Sequence, residues 1–70
     1  MSTCILVTGT ITLAMKARKT LLAHAIPAET SKLSSHVSGC LYGIRIPCVQ
    51  IENAKRILRS ENLPFEEYHP

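Results

Sequence analysis

Seventy residues with a formal charge of +3 allow a single domain and exclude a multidomain enzyme; a chain this short buries only about 60% of its unfolded surface. Hydrophobic residues make up 46% of it but include one Phe, two Tyr and no Trp, so the core must be built from Ile, Leu, Val and Ala, with little left for stacking on bases or sugars. The eight bases and five acids form no basic block, and no run approaches the roughly 18 apolar residues of a membrane span, so neither nucleic acid nor a membrane is expected as a partner.

Residues 4–7, Cys-Ile-Leu-Val, are an apolar run stopped by Thr8, Gly9 and Thr10, and read as a buried strand. From Thr12 the period changes. Leu13, Ala14, Ala17, Leu21 and Ala25 fall three or four apart, opposite Thr12, Lys16, Lys19 and Thr20, which describes an amphipathic helix that Thr10 can cap. Pro27 ends that helix or begins the next element. Residues 28–33 make a modest edge strand that tolerates Glu29 and Lys32, and the small polar residues of 34–39 read as a loop.

Residues 41–46 are the second clear strand, with Tyr42, Ile44 and Ile46 on one face and Leu41, Gly43 and Arg45 on the other. Gly43 leaves that second face bare, open to a neighbouring side chain or a ligand. Beyond Pro47, the positions Val49, Ile51, Ala54, Ile57 and Leu58 repeat at helical spacing, and Glu52 can pair with Arg56 on the solvent side. Asn62 suits a helix end, Pro64 blocks continuation, and residues 65–68 supply a last short strand.

The order strand, helix, strand, strand, helix, strand predicts one α+β domain over residues 1–70, with its core in 4–68. The economical packing is a two-layer, ferredoxin-like split β-α-β sandwich. Its antiparallel sheet carries both helices on one face, with the first and third strands central.

Three cysteines cannot all pair within one monomer, and the chain opens without a signal-peptide pattern; both point to a reducing cytoplasm. The topology puts Cys40 on the sheet edge from which the first helix starts. There the free N–H groups of Thr10, Ile11 and Thr12 favour an anion, and a helix start can lower a thiol pKa below about 8.5. Cys48 lies about 25 Å from Cys40 along an extended strand, so those two cannot join. Cys4 falls near Cys48. If a redox pair exists within the monomer it is Cys4 with Cys48, although Cys4 reads first as a packed structural thiol; both are secondary thiol candidates.

No C-x-x-C is present, and His36 and Cys40 lack the further ligands of a zinc site, so no metal is expected. Gly9-Thr10 is not a P-loop, no Ser/His/Asp pattern appears, and Glu29, Glu52, Glu61, Glu66 and Glu67 show no pairing suited to acid/base work. Neither a cofactor nor independent catalytic machinery is predicted. Only Tyr42 among the aromatics falls on a central strand, and Lys16, Arg18 and Lys19 read as a solvated helix face.

Residues 10–17 (Thr-Ile-Thr-Leu-Ala-Met-Lys-Ala), 38–45 (Ser-Gly-Cys-Leu-Tyr-Gly-Ile-Arg) and 65–68 (Phe-Glu-Glu-Tyr) resemble a family of very small bacterial proteins classed as selenium/sulfur carrier-like. The similarity runs from about residue 5 to 68. It implies that Cys40 matches the family's cysteine, Gly39 the glycine before it and Arg45 the basic residue that ends the strand; Cys4 and Cys48 have no counterpart. The implied function is non-enzymatic and stoichiometric. A donor protein of sulfur or selenium metabolism would load the Cys40 thiolate as a persulfide or selenosulfide, and an acceptor protein would collect it. The competing reading is a noncatalytic interaction or small-ligand-binding module whose sheet face or edge pairs with another chain, as in a homodimer.

Overall fold

The computed structural model describes residues 2–35 and 39–68, with side chains for 2–33 and 41–68. Alternation along the apolar runs sets the strands, and the shift to a three-to-four spacing sets the helices. In chain order these are β1 (Thr3–Gly9), α1 (Ile11–Ala23), β2 (Glu29–Ser35), β3 (Gly39–Pro47), a 3₁₀ turn (Cys48–Gln50), α2 (Ile51–Ser60) and β4 (Glu66–Glu67). All pairs are antiparallel and the sheet order is β2-β3-β1-β4, with both helices on one face. This is the ferredoxin-like sandwich, and β1 and β3 are its central strands.

Leu6 opposes Ile44 across the central pair, and both are fully buried on the helix side together with Ile46. Ala14, Ala17 and Leu21 of α1 and Ala54 and Leu58 of α2 close over them. The small alanines let the helices approach the sheet closely. Among the described residues no helix lies on the other sheet face.

Gly43 opposes Val7, and a Cβ added there would stand 2.5 Å from the Leu6 carbonyl oxygen. The bare position is therefore filled by the β1 backbone itself, not by a side chain or ligand. Gly9 has φ +98, which a side chain would resist, and the β1–β3 register shifts between Val7 and Gly9, turning the chain into α1.

Both helices end alike. Ala25 (φ 61) follows α1, its N–H reaching the Leu22 carbonyl while the Ile26 N–H reaches that of Leu21; Asn62 (φ 58) and Leu63 repeat the pattern onto Arg59 and Leu58. These are Schellman closures, each sealed by a buried pair, Ile26 with Leu21 and Leu63 with Leu58. Ala25 is thus an exposed left-handed cap and not part of the apolar helix face.

Other expectations shift as well. Val49 belongs to the 3₁₀ turn and is 89% exposed, because Pro47 delays the helix by one turn. Glu52 pairs with Lys55, while Arg56 bonds to Asn53. Ser34, Ser35 and Gly39 belong to strands, extending the hairpin into the stretch read as a loop, and β4 shrinks to Glu66–Glu67.

Candidate functional site

The three cysteines divide between opposite ends of the central strand pair. At one end Cys4 opposes Ile46, Thr3 opposes Pro47, and the Cys48 N–H donates to the Ser2 carbonyl at 3.1 Å. Strand pairing thus carries Cys48 just past the partner of Cys4, with their Cα atoms 5.0 Å apart and their Sγ atoms joined in a disulfide. Both residues are half-buried. A depression of about 400 Å³ opens beside Cys48, lined by Ser2, Thr3, Pro47 and the exposed Val49.

This bond corrects the expectation of a carrier built on one free thiolate. The sulfur chemistry that the structure displays is a Cys4–Cys48 disulfide, at the pole away from Cys40, and not a thiolate poised for persulfide formation. Reading Cys4 as a packed thiol fails for the same reason: antiparallel pairing brings the start of β1 against the end of β3. The argument from an odd cysteine count to a reducing compartment also loses its basis, since two of the three thiols are oxidised.

At the other end Tyr42 opposes Gly9, and the Thr8 hydroxyl donates to the Tyr42 carbonyl at 3.2 Å. Thr10 caps α1, its Oγ1 accepting from the Leu13 N–H at 3.2 Å, so one first-turn donor is already satisfied internally. Ile11 and Thr12 begin the helix and are exposed. The Cys40 backbone pairs with Ser34 of β2, two positions beyond Tyr42, on the same edge as the α1 start; its side chain lies outside the described residues, as do His36, Ser38 and His69.

Arg45, the basic residue singled out by the resemblance, sits opposite Glu29 in the β2–β3 register and forms a 2.7 Å ion pair with it. The pair is exposed and contributes about 0–1 kcal/mol. Its guanidinium already has an acid beside it, which lessens its value for docking an anion.

Sequence reasoning missed Lys55. It lies in the apolar stripe Ile51, Ala54, Lys55, Leu58 of α2, and its side chain is 11% exposed. Because Glu67 opposes the inward-facing Leu6, its carboxylate also faces α2, and Lys55 reaches it at 2.6 Å and Glu52 at 3.4 Å. The Glu67 hydrogen bond raises the Lys55 pKa above its ordinary value despite the opposing effect of burial, with Glu52 adding to the rise. A lysine inside an apolar helical stripe was the signal for this contact.

Among the described residues no three His, Cys, Asp or Glu side chains gather, and no helix is long and apolar enough to cross a membrane. A family model described as "Putative Se/S carrier protein-like" matches residues 3–70. No curated protein and no solved structure matches the chain.

Proposed function

Since the chain belongs to this Se/S carrier-like family, whose description fits a non-catalytic carrier or accessory role, we propose that it is a stoichiometric accessory domain working through the Cys4–Cys48 couple. The observation that carries the reading is the half-buried disulfide at one pole of the sheet, with an open depression against Cys48.

In the exchange, a partner thiolate enters the depression and attacks the Cys48 Sγ. The Cys4–Cys48 bond breaks, its electron pair leaves with Cys4 as a thiolate, and a mixed disulfide joins Cys48 to the partner. A second partner thiolate then attacks the partner's own sulfur in that bond, releasing the Cys48 thiolate. The net transfer is two electrons, with two protons, from a partner dithiol to the pair. Cys48 opens the 3₁₀ turn that precedes α2, directly after the end of β3. The Pro47 and Val49 side chains offer apolar contact to residues flanking the incoming thiol. The compartment that suits such a couple is the cytoplasm, where disulfides are commonly transient and used for exchange.

Equilibration of the Cys40→Ser protein in graded thiol–disulfide buffers, read by mass after alkylation, tests the proposal. A working couple is half-reduced between about −120 and −270 mV, the span of known exchange proteins. In the same buffers Cys4→Ser should also trap a mixed disulfide on Cys48: the Cys48 thiolate attacks the small disulfide of the buffer, one half stays on Cys48 and the other leaves as a thiolate. A midpoint below about −300 mV would make the bond a permanent staple and end the exchange reading.

A further inference from the structure

β1 is apolar on both of its faces, yet the helices cover only one. Leu6 points inward, fully buried, while Ile5 and Val7 alternate onto the face that carries no helix. A strand in an antiparallel sheet with one wet face reads apolar-in and polar-out; a continuous apolar run is the pattern of a strand covered on both sides. The neighbours extend the same surface. Leu33 opposes Leu41 across β2 and β3, Gly43 opposes Val7 with no side chain of its own, and the Tyr68 N–H donates to the Ile5 carbonyl, placing a 40% exposed Tyr beside Ile5.

We propose that this outer sheet face is an isologous interface on which a second copy of the chain packs, sheet against sheet, about a two-fold axis. Three observations favour a second copy over another partner. The molecule is a slab of 33 × 26 × 15 Å, so its broad face is large enough to hold the roughly 800 Å² per partner of a standard interface. Charge is low there: Arg45 is paired with Glu29, and among the described residues the other ionic side chain in the patch is Glu66. The cations Lys16, Arg18 and Lys19 lie on α1, in the helix layer, so the two copies do not bring them face to face. An RNA strand would need the reverse arrangement, cations and aromatics on the sheet and acids elsewhere. Gly43 adds flatness at the centre, which suits sheets stacked about 10 Å apart. This interface does not depend on the redox role of the Cys4–Cys48 pair, which lies at one end of the sheet.

The test is the mass of the intact, disulfide-bonded chain in solution over a range of micromolar concentrations, by sedimentation equilibrium. The expected mass rises toward twice 7.7 kDa. Val7→Lys and Leu41→Lys should each weaken association at least about tenfold, while Met15→Glu on the exposed side of α1 leaves it unchanged. Should either lysine variant fail to fold, the wild type still decides: the methyl groups of Ile5, Val7 and Leu41 should lose their exposure to a soluble paramagnetic probe as concentration rises. A mass of 7.7 kDa throughout, a dimer indifferent to both lysines, or methyl groups that stay exposed in the dimer would each overturn the proposal. So would a uridine-rich RNA that shifts those same methyl resonances more strongly than self-association does.

Discussion

The two ends of the β1–β3 pair are fastened by different means. At the Cys4–Cys48 end a covalent bond spans 44 residues of sequence, whereas at the Gly9–Tyr42 end the Thr8 hydroxyl, a left-handed glycine and the Thr10 cap hold the turn into α1. One end can be released by a change of redox state. The other is built from neutral hydrogen bonds, each worth about 1 kcal/mol, and responds to no chemical signal in the same way. The contrast teaches that, under the proposed exchange, the redox-active bond of a very small domain is also the bond that constrains its unfolded chain, so that function and folding would be tied at one pole.

The largest way to break the contrast is to reduce the disulfide or to replace Cys48 with Ala. Closing a loop of this length removes enough unfolded-chain entropy to stabilise the fold by about 2–4 kcal/mol. In a domain of this size that corresponds to a fall in Tm of roughly 8–32 °C, measured by circular dichroism with and without reductant. A fall of only a few degrees would mean that the two ends are fastened equally and that the pole is free to cycle at little cost.

Much of this architecture was legible in the residue pattern, because apolar period alone separates the strands from the helices, and the antiparallel order then fixes which strand ends meet. That reasoning brought Cys4 to Cys48 and kept Cys40 away from both. It could not supply the oxidation state, since a half-buried thiol and a half-buried disulfide leave the same trace in an apolar run. The local errors share a cause: backbone geometry without a residue signature. Ala25 adopts a left-handed cap that glycine would normally fill, and Val49 is drawn out of α2 by a 3₁₀ turn. Lys55 went unseen because its partner Glu67 is remote in sequence and is aligned only by the β1–β4 register.

A smaller effect comes from the opposite end. Thr10→Ala removes the side-chain acceptor of the Leu13 N–H and should cost about 1 kcal/mol, or about 4–8 °C in Tm. The informative comparison is the same substitution in oxidised and reduced protein. Distant, independent sites add, so the cost should match in both states to within about 0.5 kcal/mol. A cap that matters more after reduction would show that the two ends share load through β1.

The smallest expected effect concerns neither end but the edge of the sheet. Lys55 joins α2 to the two-residue β4 through Glu67, and its pKa is raised in the folded state. A raised folded value means that the protonated form is favoured by folding. Its contribution is therefore complete below the ordinary lysine value of 10.5 and is lost as pH climbs through the higher folded value. Lys55→Arg keeps its charge across that range, so urea midpoints of the variant and the wild type should run parallel at neutral pH and diverge only on the alkaline limb, with the wild type falling faster. If both curves fall together, β4 is held by its backbone pairing to Leu6 and Val7, and the ion pair only orients it. Stability would then answer to a chemical change at the disulfide pole and not at the Lys55–Glu67 contact.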